Sequence, residues 1–490
     1  MSVMTPVDDD LDLDADRLRE ECGVFGIFGH SDAAAITALG LHALQHRGQE
    51  ACGIVTFDGA RYNSERRLGL VGDTFSKRDV IERLPGSWAI GHTRYSTTGE
   101  TILRNVQPLF AELDGGGFAV AHNGNLTNGL TLRRELIRKG AICQSTSDSE
   151  VILHLVARSS REKFIDRFID ALFQMEGAYA FVGLTNHMLV GARDPLGIRP
   201  LVLGELDGCP ILASETCALD IIGARFVRDV ENGEVVVITK GGVESIKPFP
   251  RMPARPCIFE YIYFARPDSI VHGRSVYDVR KRFGAQLAAE SGINADVVVP
   301  VPDSGVPAAI CFAQAAGLPY ELGIIRNHYV GRTFIQPTQS IRELGVRMKH
   351  SANRAVIEGK RVVLIDDSIV RGTTSVKIVR MMREAGAKEV HFRISSPPIT
   401  HPDYYGIDTP DRDNLLAARM SLEAMRDFMG ADSLAFLSVE GVYKACGFEQ
   451  RDPVRPQFTD HCFTGEYPTP LTDRTAEEAP SQLSLLAEAS

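Results

Sequence analysis

Val362-Val363-Leu364-Ile365-Asp366-Asp367-Ser368-Ile369-Val370-Arg371-Gly372-Thr373-Thr374 is a short apolar run, then two adjacent acids, then a Gly/Thr-rich turn. The run is too short for a helix and rich in Val and Ile, which predicts a buried parallel strand. Val376, Val379 and Met382 follow at helical spacing, and Gly386 supplies a stop. The turn therefore joins the carboxyl end of a strand to the amino end of a helix. Backbone N–H groups left unpaired there, together with the helix dipole, favour an anion. Thr373 and Thr374 add hydroxyl donors. Asp366 and Asp367 would repel a phosphate but suit sugar hydroxyls or a divalent metal. The stretch predicts a sugar-phosphate pocket; the plainer reading is a capped helix start.

Outward from this stretch, residues 257–445 alternate strand and helix patterns. Val297–Val301 and Val390–Ser395 are the other apolar strands. Such alternation implies a parallel sheet with covering helices and a ligand site at a topological switch point. The preceding region, Cys22 to about residue 250, has many short strands separated by Gly/Asn/Asp turns. Two helices are predicted there, near 32–46 and 147–158, giving an α+β pattern. Pro248, Pro250, Pro253 and Pro256 mark a linker. Residues 1–21 form an acidic leader, and residues 466–490, rich in Pro, Thr, Ala, Glu and Ser, read as a flexible tail.

The 490 residues are enough for two or three full cores. A net charge of -10 argues against general nucleic-acid binding, so any anionic substrate must be held by local positive charge. The nine cysteines are odd in number, scattered and without a CxxC pair, which fits a reducing, cytoplasmic setting. No run approaches transmembrane length, so no membrane association is expected.

The Val362–Thr374 string resembles the phosphoribosyl pyrophosphate (PRPP) signature of type I phosphoribosyltransferases. The N-terminal half carries a second constellation: Glu21-Cys22-Gly23, Gln45-His46-Arg47-Gly48, Gly91-His92-Thr93-Arg94-Tyr95, His122-Asn123-Gly124-Asn125 and Ser147-Asp148-Ser149-Glu150. Together these resemble the class II glutamine amidotransferase domain, an α+β N-terminal-nucleophile hydrolase of αββα architecture. Each residue alone has a plainer reading: Cys22 as packing, Arg94 and Asp148 each as a surface charge or salt-bridge member, Asn123-Gly124 as a turn. The joint order favours the resemblance.

That resemblance implies removal of the 1–21 propeptide, leaving Cys22 as nucleophile with its own α-amino group as base, whose pKa lies near neutrality. It implies Asn123 and Gly124 as oxyanion donors. It also implies that Arg94 grips the glutamine α-carboxylate and that Asp148 receives its α-ammonium. A glutaminase domain over 22–250 joined to an α/β phosphoribosyltransferase domain over 257–465 resembles the amidophosphoribosyltransferase family. The family's reaction moves ammonia from glutamine to C1 of PRPP, giving 5-phosphoribosylamine, pyrophosphate and glutamate at the start of purine nucleotide synthesis.

For this chain the resemblance implies a PRPP cradle of Asp366, Asp367, Ser368, Ile369, Val370, Arg371, Gly372, Thr373 and Thr374. Arg332 joins them from a basic 326–350 segment read as a closing lid. Ser304, Asp366 and Asp367 are placed around Mg²⁺, and Tyr95 and Tyr263 beside an ammonia route. Arg47, His92, Tyr95 and Asp194–Pro200 are read as structural or coupling positions. Purine nucleotides are the expected feedback inhibitors and a homotetramer the expected assembly. Some family members hold a [4Fe–4S] cluster on four cysteines. Cys257 and Cys462 match two of those positions, whereas Asp403 and Thr459 occupy the others, so no cluster is expected. Two rival readings are a different glutamine-dependent synthase, against which the Ile365–Thr374 string speaks, and a PRPP- or purine-sensing regulator, which would have no use for Cys22.

Overall fold

The computed structural model describes residues 22–95, 102–326, 350–409 and 411–475. The leader, Arg332 and the rest of the basic segment between 327 and 349 lie outside the described residues.

The N-terminal half stacks two antiparallel sheets. In the first, Gly23–Phe28 is central, flanked by Cys209–Ala213 and Trp88–Arg94. In the second, Gly116–Leu126 pairs with Leu109–Leu113 and with Gly177–Thr185. Val24, Ile90, Ala121, Val182 and Leu212 form one apolar layer between the sheets. On the outside, helix Ala33–Ala43 packs on Phe25 and Ile27. Glu150–Arg158 and Phe164–Leu172 pack on Phe118, Val120 and Phe181. Every residue of Gly23–Phe28 is buried because both faces of its sheet are covered. The result is the αββα sandwich that the sequence implied.

The expected helices appear as Ala33–Ala43 and Glu150–Arg158. Gly129–Arg138 and Phe164–Leu172 are further helices that the reading above lacked. Their signal was present in Leu132/Leu136 and Phe164/Phe168/Leu172, which recur at helical spacing.

The C-terminal half has a four-stranded parallel sheet in the order Val297–Pro300, Arg361–Asp366, Glu389–Ile394, Ser433–Phe436. Alternate residues point into separate cores. Val298, Val363 and Ile365 join Phe283 and Ala309 on one face. Val297, Val299, Val362 and Leu364 join Ile378 and Met382 on the other. A strand covered on both faces has no polar side, which is why its sequence reads as an unbroken Val/Ile/Leu run.

The linker is not loose at its end: Arg255 N donates to Leu196 O at 2.7 Å, and Cys257 N to Ile198 O at 3.1 Å. The flexible-tail expectation needs correction over 466–475. Asp473 accepts the Leu130 and Thr131 backbone N–H groups at 2.8 and 2.9 Å, capping helix Gly129–Arg138 in place of a local residue. Thr472 Oγ1 donates to Glu176 Oε2 at 2.5 Å. The chain thus returns from the second domain to the first. Among the described residues, no helix is long and apolar enough to cross a membrane.

Candidate active sites

Cys22 is buried immediately before the central strand, and its S–H donates to Tyr95 O at 3.6 Å. Gly23 pairs with Thr93, so Cys22 and Arg94 lie at the same end of neighbouring strands. Asn123 and Gly124 sit on the facing sheet. The two sheets are joined there by His92, whose Nε2 meets His122 O at 3.0 Å. Burial, helped by the charge of Arg94, pushes the His92 imidazole down to about 3. The ring is therefore neutral, and the carbonyl acceptor assigns its proton to Nε2.

The Asn123 side chain is fully buried, and neither Oδ1 nor Nδ2 has a hydrogen-bond partner among the described residues. Buried amides are rarely left this way without a functional reason. Gly124 has φ +133°, and a Cβ there would fall 2.2 Å from Ala178 O. Only glycine permits that backbone.

Arg94 Nη1 donates to Asn105 O at 2.9 Å, and Asn105 is held in turn by Thr146 N and Thr146 Oγ1 at 2.8 Å each. Asp148 Oδ2 accepts Leu126 N at 3.0 Å, which ties this acid to the strand carrying Asn123 and Gly124. Ser149 Oγ lies 3.3 Å from Asp148 Oδ1 and 2.9 Å from His122 Nδ1. A cavity of about 510 Å³ opens beside Asp148, walled by Asn125, Arg133 and Thr146 and, from the second domain, by Tyr404, Gly406 and Ile407. Asn105 and Tyr404–Ile407 are site neighbours without an assigned role in the sequence reading, and Ser149 was quoted there only as part of its motif. They brace a predicted residue or arrive from the other domain, so only folding reveals them.

In the second domain, the turn after Asp366 does join a strand to helix Thr373–Glu384. Gly372 is left-handed at φ +81°, and Val376 N donates back to Gly372 O at 3.1 Å. Asp366 and Asp367 are buried, and Asp366 Oδ1 accepts Asp367 N at 2.9 Å. Ser368 Oγ donates to Asp367 Oδ2 at 2.7 Å. Ile369 and Val370 send their side chains into the two cores, so only their backbone can face a ligand. Arg371 is exposed, Thr373 half-buried and Thr374 buried. Ser304 lies on the adjacent loop. Its neighbour Gly305 is pressed against the strand end, where a Cβ would meet Ile365 O at 2.3 Å. The buried Ser304 Oγ has no hydrogen-bond partner among the described residues. Ser304, Asp366 and Asp367 thus gather at the carboxyl ends of adjacent parallel strands, an oxygen-donor set that fits Mg²⁺.

Between the domains runs a buried ionic chain. Glu215 accepts His46 Nε2 at 2.7 Å and also Arg47 Nε; Arg47 continues to Glu260, and Arg199 Nη1 reaches Glu260 Oε1 at 3.4 Å. Burial alone would raise the Glu215 carboxyl, but Arg47 and His46 outweigh it and hold it well below the usual carboxylate range.

The four positions that the resemblance assigns to an iron–sulfur cluster lie near one another, with Cys257 bridged to Thr459 and Asp403 beside His461 and Cys462, but their chemistry does not fit one. Thr459 Oγ1 donates to Arg255 O at 2.6 Å. Asp403 Oδ1 is taken by Tyr405 N and Ile407 N at 2.6 and 2.9 Å. Cys257 and Cys462 alone among the four offer thiols, against the four thiolates a cubane cluster takes.

Residues 92–220 match a glutamine amidotransferase domain and residues 268–396 a phosphoribosyl transferase domain. The chain is 66% identical over 488 residues to the amidophosphoribosyltransferase of Rhizobium etli, covering 98% of each chain. It is 50% identical over 459 residues to that of Bacillus subtilis, covering 94% of this chain and 96% of the other. The solved B. subtilis glutamine PRPP amidotransferase complexed with ADP and GMP superposes with a TM-score of 0.87 at 49% identity, covering 92% of this chain and 98% of that one. With both domains matched and such identity over nearly the whole length, the chain belongs to the amidophosphoribosyltransferases, the glutamine-dependent PRPP amidotransferases of the first step of purine biosynthesis.

Proposed function

We propose that this chain performs the family reaction with two sets of residues, one in each domain. After loss of residues 1–21, the freed Cys22 α-amino group takes the thiol proton and the thiolate attacks the glutamine amide. Asn123 Nδ2–H and the Gly124 N–H stabilise the tetrahedral oxyanion. Arg94 pairs with the substrate α-carboxylate and Asp148 with its α-ammonium. Ammonia leaves, and water releases glutamate from the thioester. The observation that best supports this reading is the buried, unpartnered Asn123 amide beside a positive-φ glycine on the strand facing Cys22.

In the second domain the 368–374 turn cradles the PRPP 5-phosphate, and Asp366 and Asp367 hold ribose hydroxyls. Arg332 contributes positive charge toward the pyrophosphate. Ammonia, passing Tyr95 and Tyr263, attacks C1 as pyrophosphate departs through an oxocarbenium-like transition state, so positioning dominates. Ser304, Asp366 and Asp367 are the residues that would hold Mg²⁺, which when bound neutralises charge on the leaving pyrophosphate. Purine nucleotides as inhibitors and a cytoplasmic homotetramer complete the reading; the B. subtilis relative solved with ADP and GMP supports the first of these.

Cys22→Ala tests the whole scheme. Glutamine-dependent synthesis should vanish while ammonia-dependent synthesis of phosphoribosylamine persists. Loss of both in a folded protein would refute the two-site assignment, and the intact mass of the purified chain reports directly on the leader.

A further inference from the structure

Asp403, His461 and Cys462 are buried together, and one donor atom from each lies within 4.8 Å of the other two. His461 Nε2 stands 2.9 Å from Asp403 Oδ2 and 3.3 Å from Cys462 Sγ. A single ring nitrogen cannot donate one proton to both. The buried Asp403 Oδ2 accepts no hydrogen bond of acceptable geometry, although the ring is so close. Carboxylate and thiol thus converge on one ring nitrogen, which leaves three donors of different type clustered in a buried pocket.

Donors around tetrahedral zinc, with bonds of about 2.0–2.3 Å, stand roughly 3.3–3.8 Å apart. The two separations to His461 need to spread by only a few tenths of an ångström, and the Asp403 and Cys462 donor atoms lie within 4.8 Å of each other. The segments are cross-strapped by backbone bonds: Thr400 N and His401 N both donate to Cys462 O, at 2.9 and 3.1 Å, and Ile258 N to Thr459 O at 3.2 Å. A buried mixture of nitrogen, oxygen and sulfur donors suits a borderline divalent ion better than Mg²⁺, which takes oxygen alone.

We propose that Asp403, His461 and Cys462 form a mononuclear site for a zinc-type divalent cation. The ion would replace the Cys462 thiol proton and staple the 400–409 segment to the 459–465 turn. That segment carries Tyr404 and Gly406, which pack on Asn125 and Gly124, so the staple would support the first domain's site from the second.

The test uses the full-length chain, equilibrated with Zn²⁺, dialysed against Mg²⁺ buffer and analysed for metal. One zinc per chain should survive, and Cys462→Ser and Asp403→Asn should each lose it while keeping the wild-type far-ultraviolet spectrum. With Co²⁺ in place of zinc, a thiolate-to-metal charge-transfer band should appear. It should disappear in Cys462→Ser and persist in Cys143→Ser, which removes the thiol beside Glu150 and His154. The Mg²⁺ site has no thiol and cannot produce the band. Absence of retained zinc in the wild-type protein, a cobalt band that survives Cys462→Ser, or four irons with sulfide per chain would each overturn the proposal.

Discussion

Gly406 of the second domain lies directly on Gly124 of the first: a Cβ at Gly406 would sit 3.1 Å from the Gly124 carbonyl carbon. Next to it, Asn125 Nδ2 donates to Tyr404 O at 3.0 Å. The strand that presents the proposed oxyanion donors is therefore seated against the other domain. Gly406→Ala should push that strand away, since its φ of +119° and the tight contact both exclude a side chain. Misplacement of about 1 Å costs on the order of 100-fold in rate. Glutamine-dependent activity should fall roughly 10- to 100-fold, with ammonia-dependent activity within about two-fold of wild type; an equal fall in both would argue against this seating role.

Asn123→Ala removes one proposed oxyanion donor and should lower kcat with glutamine by about 100- to 1,000-fold. Asp148→Asn should act differently. It weakens the hold on the substrate ammonium, so KM for glutamine rises more than kcat falls. Steady-state kinetics on the two variants should separate these patterns. A pure kcat effect in Asp148→Asn would remove that residue from substrate binding.

His92 predicts a pH effect. Its imidazole is pushed down to about 3 by burial, from an ordinary value of 6.5. Below 6.5 the unfolded chain takes up a proton that the folded chain refuses until about 3, so acid favours unfolding over that window. Urea midpoints should fall between pH 7 and 4. The fall should be shallower in His92→Asn, which cannot take up that proton. Parallel slopes in the two proteins would show that His92 does not contribute.

Both domain types were legible from short strings because their chemistry demands local order. The Val362–Thr374 run could be read as strand, acids, turn and helix, and each follows in that sequence. Gly372 in the Gly/Thr-rich turn and Gly124 in the Asn-Gly pair were readable as turn residues, whereas their positive φ values appear only in the fold. What remained hidden is long-range. Asp473 caps a helix more than 340 residues away. Asn105 positions Arg94 through its carbonyl, a group every residue has. His461 lies outside the four cysteine-type positions, and its approach to Asp403 exists only in the fold.

Arg47 and Glu260 carry the last prediction, about stability. Both side chains are buried, and Glu260 faces Arg199 as well, so Glu260→Gln leaves two buried guanidinium groups without that carboxylate. Removing one member of a buried pair costs about 3–5 kcal/mol, far more than an exposed pair is worth. Urea unfolding of Glu260→Gln should show a loss of that size, whereas Glu82→Gln, from the exposed pair with Arg78, should change little. Acid gives a second readout. Glu215 is held below its ordinary 4.5, largely through Arg47 acting against burial, so its contribution is present above that pH and is lost as pH falls further. Arg47→Met should therefore be less stable at neutral pH yet lose less additional stability under pH 4.5 than wild type. An unchanged acid slope would mean that Glu215 does not depend on Arg47 for its charge.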